Sequence, residues 1–196
     1  MTAGRPREFD IDERLDRALR VFWRQGYEGA ALSDLTRAMG ISRPSLYAAY
    51  GNKEALFDKA IDRYLDAYAR HVREALDEPT ARAAAERLLR GAVEVTTSRD
   101  NPGRGCLVVQ GALAAGEQAG VVRDKLAARR RAGEADLCAR FERARAEGDL
   151  PADTDAAGLA RYVAMVSYGV SVQASGGATT DDLHRVVDVA LSSWPK

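Results

Sequence analysis

No stretch of this sequence approaches about 18 consecutive apolar residues, so no transmembrane helix and no membrane partner is expected. The first residues lack the apolar core of a secretory leader. Cysteine is nearly missing: Cys106 and Cys138 are the only two in 196 residues. Two thiols without a leader point to a reduced, cytoplasmic setting rather than a disulfide framework. Histidine is as scarce, with His71 and His184 alone. Two Cys and two His at unrelated spacings make no ligand set, so no metal and no cofactor is expected. They form no nucleophile–base–acid constellation either, which argues against an enzyme. Net charge is also absent, 29 Lys+Arg balancing 29 Asp+Glu. Nothing global therefore draws the chain to nucleic acid, and any such contact must be local. No β-strand pattern, internal repeat or low-complexity tract stands out.

Helical periodicity is what the chain does have. Between Phe9 and Gln25 the apolar residues Ile11, Leu15, Ala18, Leu19 and Phe22 fall on one helical face, and Gly26 ends the run. Asn52 to Leu76 carries a wide stripe that includes Leu56, Phe57, Ile61, Tyr64, Leu65 and Tyr68. Asn52 stands at its cap and Glu54 in its first turn. Pro79 breaks the chain, Thr80 caps a helix to about Arg99, and Asp100-Asn101-Pro102-Gly103 is a turn. Gly105 to Ala119 is apolar on nearly every side and reads as a buried helix. Val121 to Glu147 is a long charged helix whose Arg129-Arg130-Arg131 run reads as a solvated face. Asp153 or Thr154 caps a helix to Ser175, and Thr180-Asp181-Asp182 opens the last one. The expected fold is all-α with about nine helices. Residues 1–52 would form a small first domain, and 53–196 a helical second domain entered through the long linker helix.

Within the first domain, Leu32 to Lys53 reads as two short helices around a turn at Gly40. That is the helix-turn-helix pattern, whose second helix enters the DNA major groove. Ser42 caps the second helix, and Pro44 sits in its first turn, where a missing N–H costs nothing. Arg43, Ser45, Tyr47, Tyr50 and Lys53 are donors in reach of phosphates or base edges. Arg37 is a further candidate for base contact. The charge of this region is weak, nine basic residues against seven acidic over 1–53. Its distribution says more: Arg5 and Arg7 on one side, and Arg37, Arg43 and Lys53 on the other, bracket the segment.

The order of residues 26–56, GYEGAALSDLTRAMGISRPSLYAAYGNKEAL, resembles the TetR family of transcriptional regulators. Leu46-Tyr47, Tyr50 and Lys53-Glu54-Ala55-Leu56 are its most specific part. The resemblance implies a repressor that binds a palindromic double-stranded DNA operator as a homodimer. A small-molecule effector, or a chemical modification, would release it. It places Arg43, Pro44, Ser45, Tyr47 and Tyr50 on the recognition helix, Lys53 on a backbone phosphate, and Arg5 and Arg7 in an arm that enters the minor groove. Many relatives carry Thr or Ser just before the first helix of the motif. Ala30 and Ala31 stand there in this chain, leaving Ser33 to supply the phosphate contact.

An effector would lie between the linker helix and those that follow it. Tyr64, Tyr68, Val93, Leu107, Phe141, Met165 and Tyr168 supply an apolar lining with phenol groups for orientation. Gln110, Ser167 and His71 are the polar candidates. Cys106 follows Arg104-Gly105 at a helix start, where a cation and the helix N-terminus favour thiolate. GRGCLVV is similar to a subset of the family in which a cysteine at this point senses electrophiles or oxidants. The dimer surface is expected on the last two helices, from Tyr162, Val166, Gly169, Val170, Val186, Val187, Ala190 and Trp194, as a four-helix bundle. The competing reading is an all-helical interaction protein that has lost operator binding.

Overall fold

A computed structural model describes residues 11–68, 70–98, 105–113 and 119–195, with the side chains of 68, 112 and 113 outside the description. Among the described residues there are ten helical segments and no strand. They are α1 (Ile11–Gly29), α2 (Leu32–Met39), α3 (Arg43–Tyr50), α4 (Lys53–Tyr68), α5 (Arg70–Asp77), α6 (Ala81–Thr97), α7 (Leu107–Leu113), α8 (Gly120–Ala146), α9 (Ala156–Ser175) and α10 (Thr180–Ser192). The segment count exceeds the expected nine because the linker stretch is described as α4 and α5, on either side of residue 69.

Local chemistry explains most boundaries. Gly26 (φ 70°, ψ 177°) breaks α1, a conformation that side chains with a Cβ resist. Gly40 ends α2 in the left-handed region (φ 65°). The Ser42 side chain accepts from the Ser45 backbone N–H at 3.2 Å, and Pro44 occupies the first turn of α3. Thr80 caps α6 through the Ala83 N–H. Asp155, rather than the expected Asp153 or Thr154, caps α9 by accepting from the Gly158 N–H. Thr179 and Asp182 form a reciprocal capping box at α10.

Two cores hold these helices. The first joins α1, α2, α3 and α4, and also takes in Leu107 and Val108 of α7 and Val122 and Leu126 of α8. The second joins α5, α6, the C-terminal half of α8, α9 and α10 around Phe141, Leu137 and Leu89. Residue 52 therefore lies inside the span of the first core, and the helix-turn-helix unit packs on α7 and α8 as well as on α4. Aromatic edges lock this junction. Phe22 meets Phe57 edge-on at 4.9 Å, and Trp23 meets Tyr64 at 5.0 Å.

Polar ties span the same junction. Arg63 of α4 makes a two-point pair with Asp16 of α1 at 2.8 and 3.2 Å. Lys125 of α8 reaches Glu54 and Asp58 of α4 at 2.7 and 2.6 Å, and Arg129 reaches Asp62 at 2.5 Å. The Arg129–Arg131 run is therefore only partly the expected solvated face. Arg130 turns inward instead, its Nη1 donating to the Val108 carbonyl at 3.0 Å.

Candidate functional site

The helix-turn-helix is clamped from behind by α1. Arg14 Nη1 donates to the carbonyls of Met39 and Gly40 at 3.2 and 3.1 Å, fixing the turn. Leu35, Met39 and Leu46 are fully buried against α1. With that face committed, α3 leaves Arg43, Pro44, Ser45 and Tyr47 outside, and Tyr47 is 47% exposed. This is the surface that a recognition helix presents to a major groove.

Tyr50 corrects the sequence expectation. It is 4% exposed, and its hydroxyl donates to the Ile11 carbonyl at 3.1 Å. Burial raises its pKa and keeps it a phenol. Tyr47 and Tyr50 lie three residues apart, but α1 covers only the second. Tyr50 is thus a packing residue that fixes α3 against α1, not a DNA donor.

Ser33 and Arg37 are exposed on α2, with Arg37 paired to Asp34 at 3.2 Å. Ala31 at the α2 N-cap gives no side-chain bond, so the hydroxyl missing there is not replaced as a cap. Lys53 opens α4 half-buried. Its Nζ lies 4.7 Å from the Tyr27 ring centroid and 3.5 Å from the Glu28 carbonyl. Burial lowers its pKa despite the nearby Glu28 carboxylate. Arg5 and Arg7 lie outside the described residues.

A second concavity of about 360 Å³ opens between α4, α5, α6, α7, α8 and α9. Of the expected lining, Tyr64 and Tyr168 are in place, joined by His71, Ser167 and Cys106. The Tyr68 side chain lies outside the described residues. The other expected residues are elsewhere. Val93, Leu107 and Phe141 are filled core, and Met165 is 64% exposed on the outer face of α9. Gln110 donates to Ser175 Oγ at 2.8 Å, away from the cavity wall. Leu65, Val72, Leu88 and Val95 supply the apolar lining instead. Val93 and Val95 lie two residues apart, about 200° around the helix, so the first fills the core and the second faces the space.

Cys106 is a free, half-buried thiol beside this cavity. Its backbone N–H donates to Ser171 Oγ at 2.6 Å, and the Gly105 carbonyl accepts from Trp23 Nε1 at 3.0 Å. Cys138 is half-buried against the second core. No cluster of three or more metal-binding side chains occurs among the described residues.

The outer faces of α9 and α10 carry an apolar strip of Tyr162, Met165, Val172, Val186 and Val189, with exposed Gly169 among them. Three of the residues expected on this surface point inward: Val170, Val187 and Ala190 are buried at 2%, 0% and 4% exposure. Val166 and Trp194 also pack on the second core, Trp194 edge-on to Phe141 at 5.7 Å. Helical phase decides this. Val170 and Val187 face the core, whereas Gly169 and Val186, one residue earlier, face out.

The comparisons agree with this geometry. Residues 15–60 match the family model of bacterial regulatory proteins of the tetR family, and residues 84–189 match the tetracyclin repressor-like C-terminal domain. The HTH-type transcriptional repressor ComR of Escherichia coli is 32% identical over 195 residues, covering 98% of this chain and 92% of ComR. The HTH-type transcriptional regulator YezE of Bacillus subtilis is 33% identical over 196 residues, covering 96% and 98%. A cysteine-substituted form of the regulator CifR, complexed with 26-bp double-strand operator DNA, superimposes with a TM-score of 0.92 at 47% identity. That match covers 97% of this chain and 100% of the CifR chain. No helix among the described residues is long and apolar enough to cross a membrane. The chain belongs to the TetR family of bacterial transcriptional regulators, and it is a DNA-binding regulator rather than an enzyme.

Proposed function

We propose that the chain represses transcription by binding a palindromic operator as a homodimer in the cytoplasm, and leaves it when a small molecule fills the α4–α9 cavity or when Cys106 is modified. The observation that carries this reading is the exposed row Arg43, Ser45 and Tyr47 on α3, in a chain 47% identical to operator-bound CifR. Residues 1–52 read DNA together with Lys53 at the start of α4: Ser33 and Lys53 on flanking phosphates, Arg37 as a base contact behind Arg43, and Arg5 and Arg7 in the minor groove. Residues 53–196 sense and dimerise.

The apolar strip of Tyr162, Met165, Gly169, Val172, Val186 and Val189 supports the homodimer, since a second copy of the same helices covers it. Two recognition helices then sit about 34–36 Å apart, one turn of DNA. Tyr64 and Cys106 support release from the cavity. Trp23 of α1 packs edge-on against the first and bonds to the residue before the second. A coupling of about 1–3 kcal/mol along that contact lowers operator affinity roughly 5- to 150-fold.

A gel shift with DNA flanking the gene tests the reading, and binding should weaken steeply with salt. Lack of any specific shift at low salt would favour an interaction protein that has lost its operator. Cys106→Ser separates the two release routes. Derepression by oxidants should disappear in this variant, while derepression by small molecules persists.

A further inference from the structure

We infer that the cavity takes a compact, largely apolar carboxylic acid, held head-first on Arg130. This inference rests on the effector reading above and adds the chemical class. The wall of α8 sorts its side chains by depth. Leu137 is buried, and Arg130 and Gly133 are half-buried on the same inward stripe. Arg129, Ala132 and Asp136 are exposed at the rim.

The rim charges are largely spoken for. Arg73 pairs with Asp66 at 3.2 Å, Arg129 with Asp62 at 2.5 Å, and Glu134 with Arg161 at 3.0 Å. Arg130 differs. Its Nη1 donates to the Val108 carbonyl, a neutral acceptor, at 3.0 Å, and it makes no ion pair with a carboxylate of the described residues. Its Nε and Nη2 remain available to a ligand. A guanidinium on a partly desolvated wall favours a planar, bidentate anion over a neutral head.

The surroundings fit the rest of such a molecule. Tyr168 hydroxyl donates to the Arg130 backbone carbonyl at 3.4 Å, which places the phenol ring next to this residue. Burial raises the Tyr168 pKa, so the ring stays a neutral phenol and does not repel an acid. Ser167 lies one helical turn before Ser171 on the same cavity-facing side of α9 and offers a further hydroxyl. Leu65, Val72, Leu88, Ala92 and Val95 form an apolar wall for the body. At about 360 Å³ the space is near the lower end of small-molecule sites. An ammonium head would face Arg130 and lose to the acid.

Three probes of one skeleton test this: 4-phenylbutanoate, 4-phenylbutanamide and 4-phenylbutylamine, titrated calorimetrically into the full chain. The acid should bind at least about tenfold more tightly than the amide, and the amine weakest. Arg130→Gln should erase the preference of acid over amide, and Arg130→Lys should keep part of it. The inference is overturned if the amide or amine matches the acid, if none of the three binds at millimolar concentration, or if Arg130→Gln keeps the acid preference. Operator binding is scored separately by gel shift on unliganded protein. Its failure would sink the regulator reading while leaving the acid site intact.

Discussion

Trp23 and Gly105, 82 positions apart in sequence, meet through a 3.0 Å hydrogen bond from the indole Nε1 to the backbone carbonyl. The bond ties α1, which clamps the helix-turn-helix, to the residue before Cys106. Gly105 adopts φ 62°, and a Cβ there would approach the Ser171 carbonyl oxygen to 2.6 Å. One peptide thus joins the DNA-reading unit, the cavity and α9.

Trp23→Phe keeps the edge contact with Tyr64 and deletes the bond to Gly105. Stability should fall by about 1–3 kcal/mol, since a buried carbonyl loses a donor. Urea denaturation followed by circular dichroism measures it. A change within about 0.3 kcal/mol would show that the bond contributes little.

Gly105→Ala combines a left-handed backbone with a clash on α9. The backbone alone costs about 1–2 kcal/mol, and the Ser171 contact adds to it. A lower melting temperature is expected, together with altered cavity-driven release in a reporter assay.

The dimer face separates by helical phase. Val189→Asp or Met165→Asp should give a folded monomer by light scattering, with helical content kept and operator affinity lost. Val170→Asp should unfold the chain instead, because it places a charge in a filled core. If Val189→Asp stays dimeric, another surface holds the copies together.

Tyr47 and Tyr50 should behave oppositely. Tyr47→Ala should weaken operator binding with little change in melting temperature. Tyr50→Phe removes the bond to the Ile11 carbonyl and should cost about 1 kcal/mol of stability. Direct effects on specific DNA contacts are expected only from the first.

Lys125 is held protonated by its bonds to Asp58 and Glu54, which push its pKa up to about 12 from 10.5. A base with a raised folded-state pKa stabilises the fold below the ordinary value and loses that contribution as pH climbs through the raised one. The melting-temperature gap between wild type and Lys125→Met should therefore be constant from neutral pH to about pH 10.5 and close toward about pH 12. A gap that stays constant across this window would contradict the clasp.

How far the sequence could be read follows the range of the interactions. The α1 stripe Leu15–Phe22, the Gly40 turn and the Ser42 cap are set by neighbours three or four residues away, so they are visible in the chain alone. Tyr50 depends on Ile11, Arg130 on Val108, and Trp23 on Gly105, contacts that no local pattern encodes. The cavity lining escapes a sequence reading for the same reason. Val93, Leu107 and Phe141 are as apolar as Leu65, Val72 and Val95, and only the facing helix decides whether a residue fills a core or walls a space. Val170 and Val187 read as outward-facing in sequence because a stripe with surplus valine does not reveal its phase.

Arg43 gives the most direct test of the central claim that α3 reads an operator. Fluorescence anisotropy would follow a labelled palindromic duplex from the flanking DNA across a salt series, with wild type and Arg43→Ala. Wild type should bind specifically, with log affinity falling linearly in log salt. Arg43→Ala should lose about 1–3 kcal/mol if it contacts a base, or lower the salt slope by about one if it contacts a phosphate. Equal affinity and equal slope for the two proteins, at equal helical content, would contradict the account.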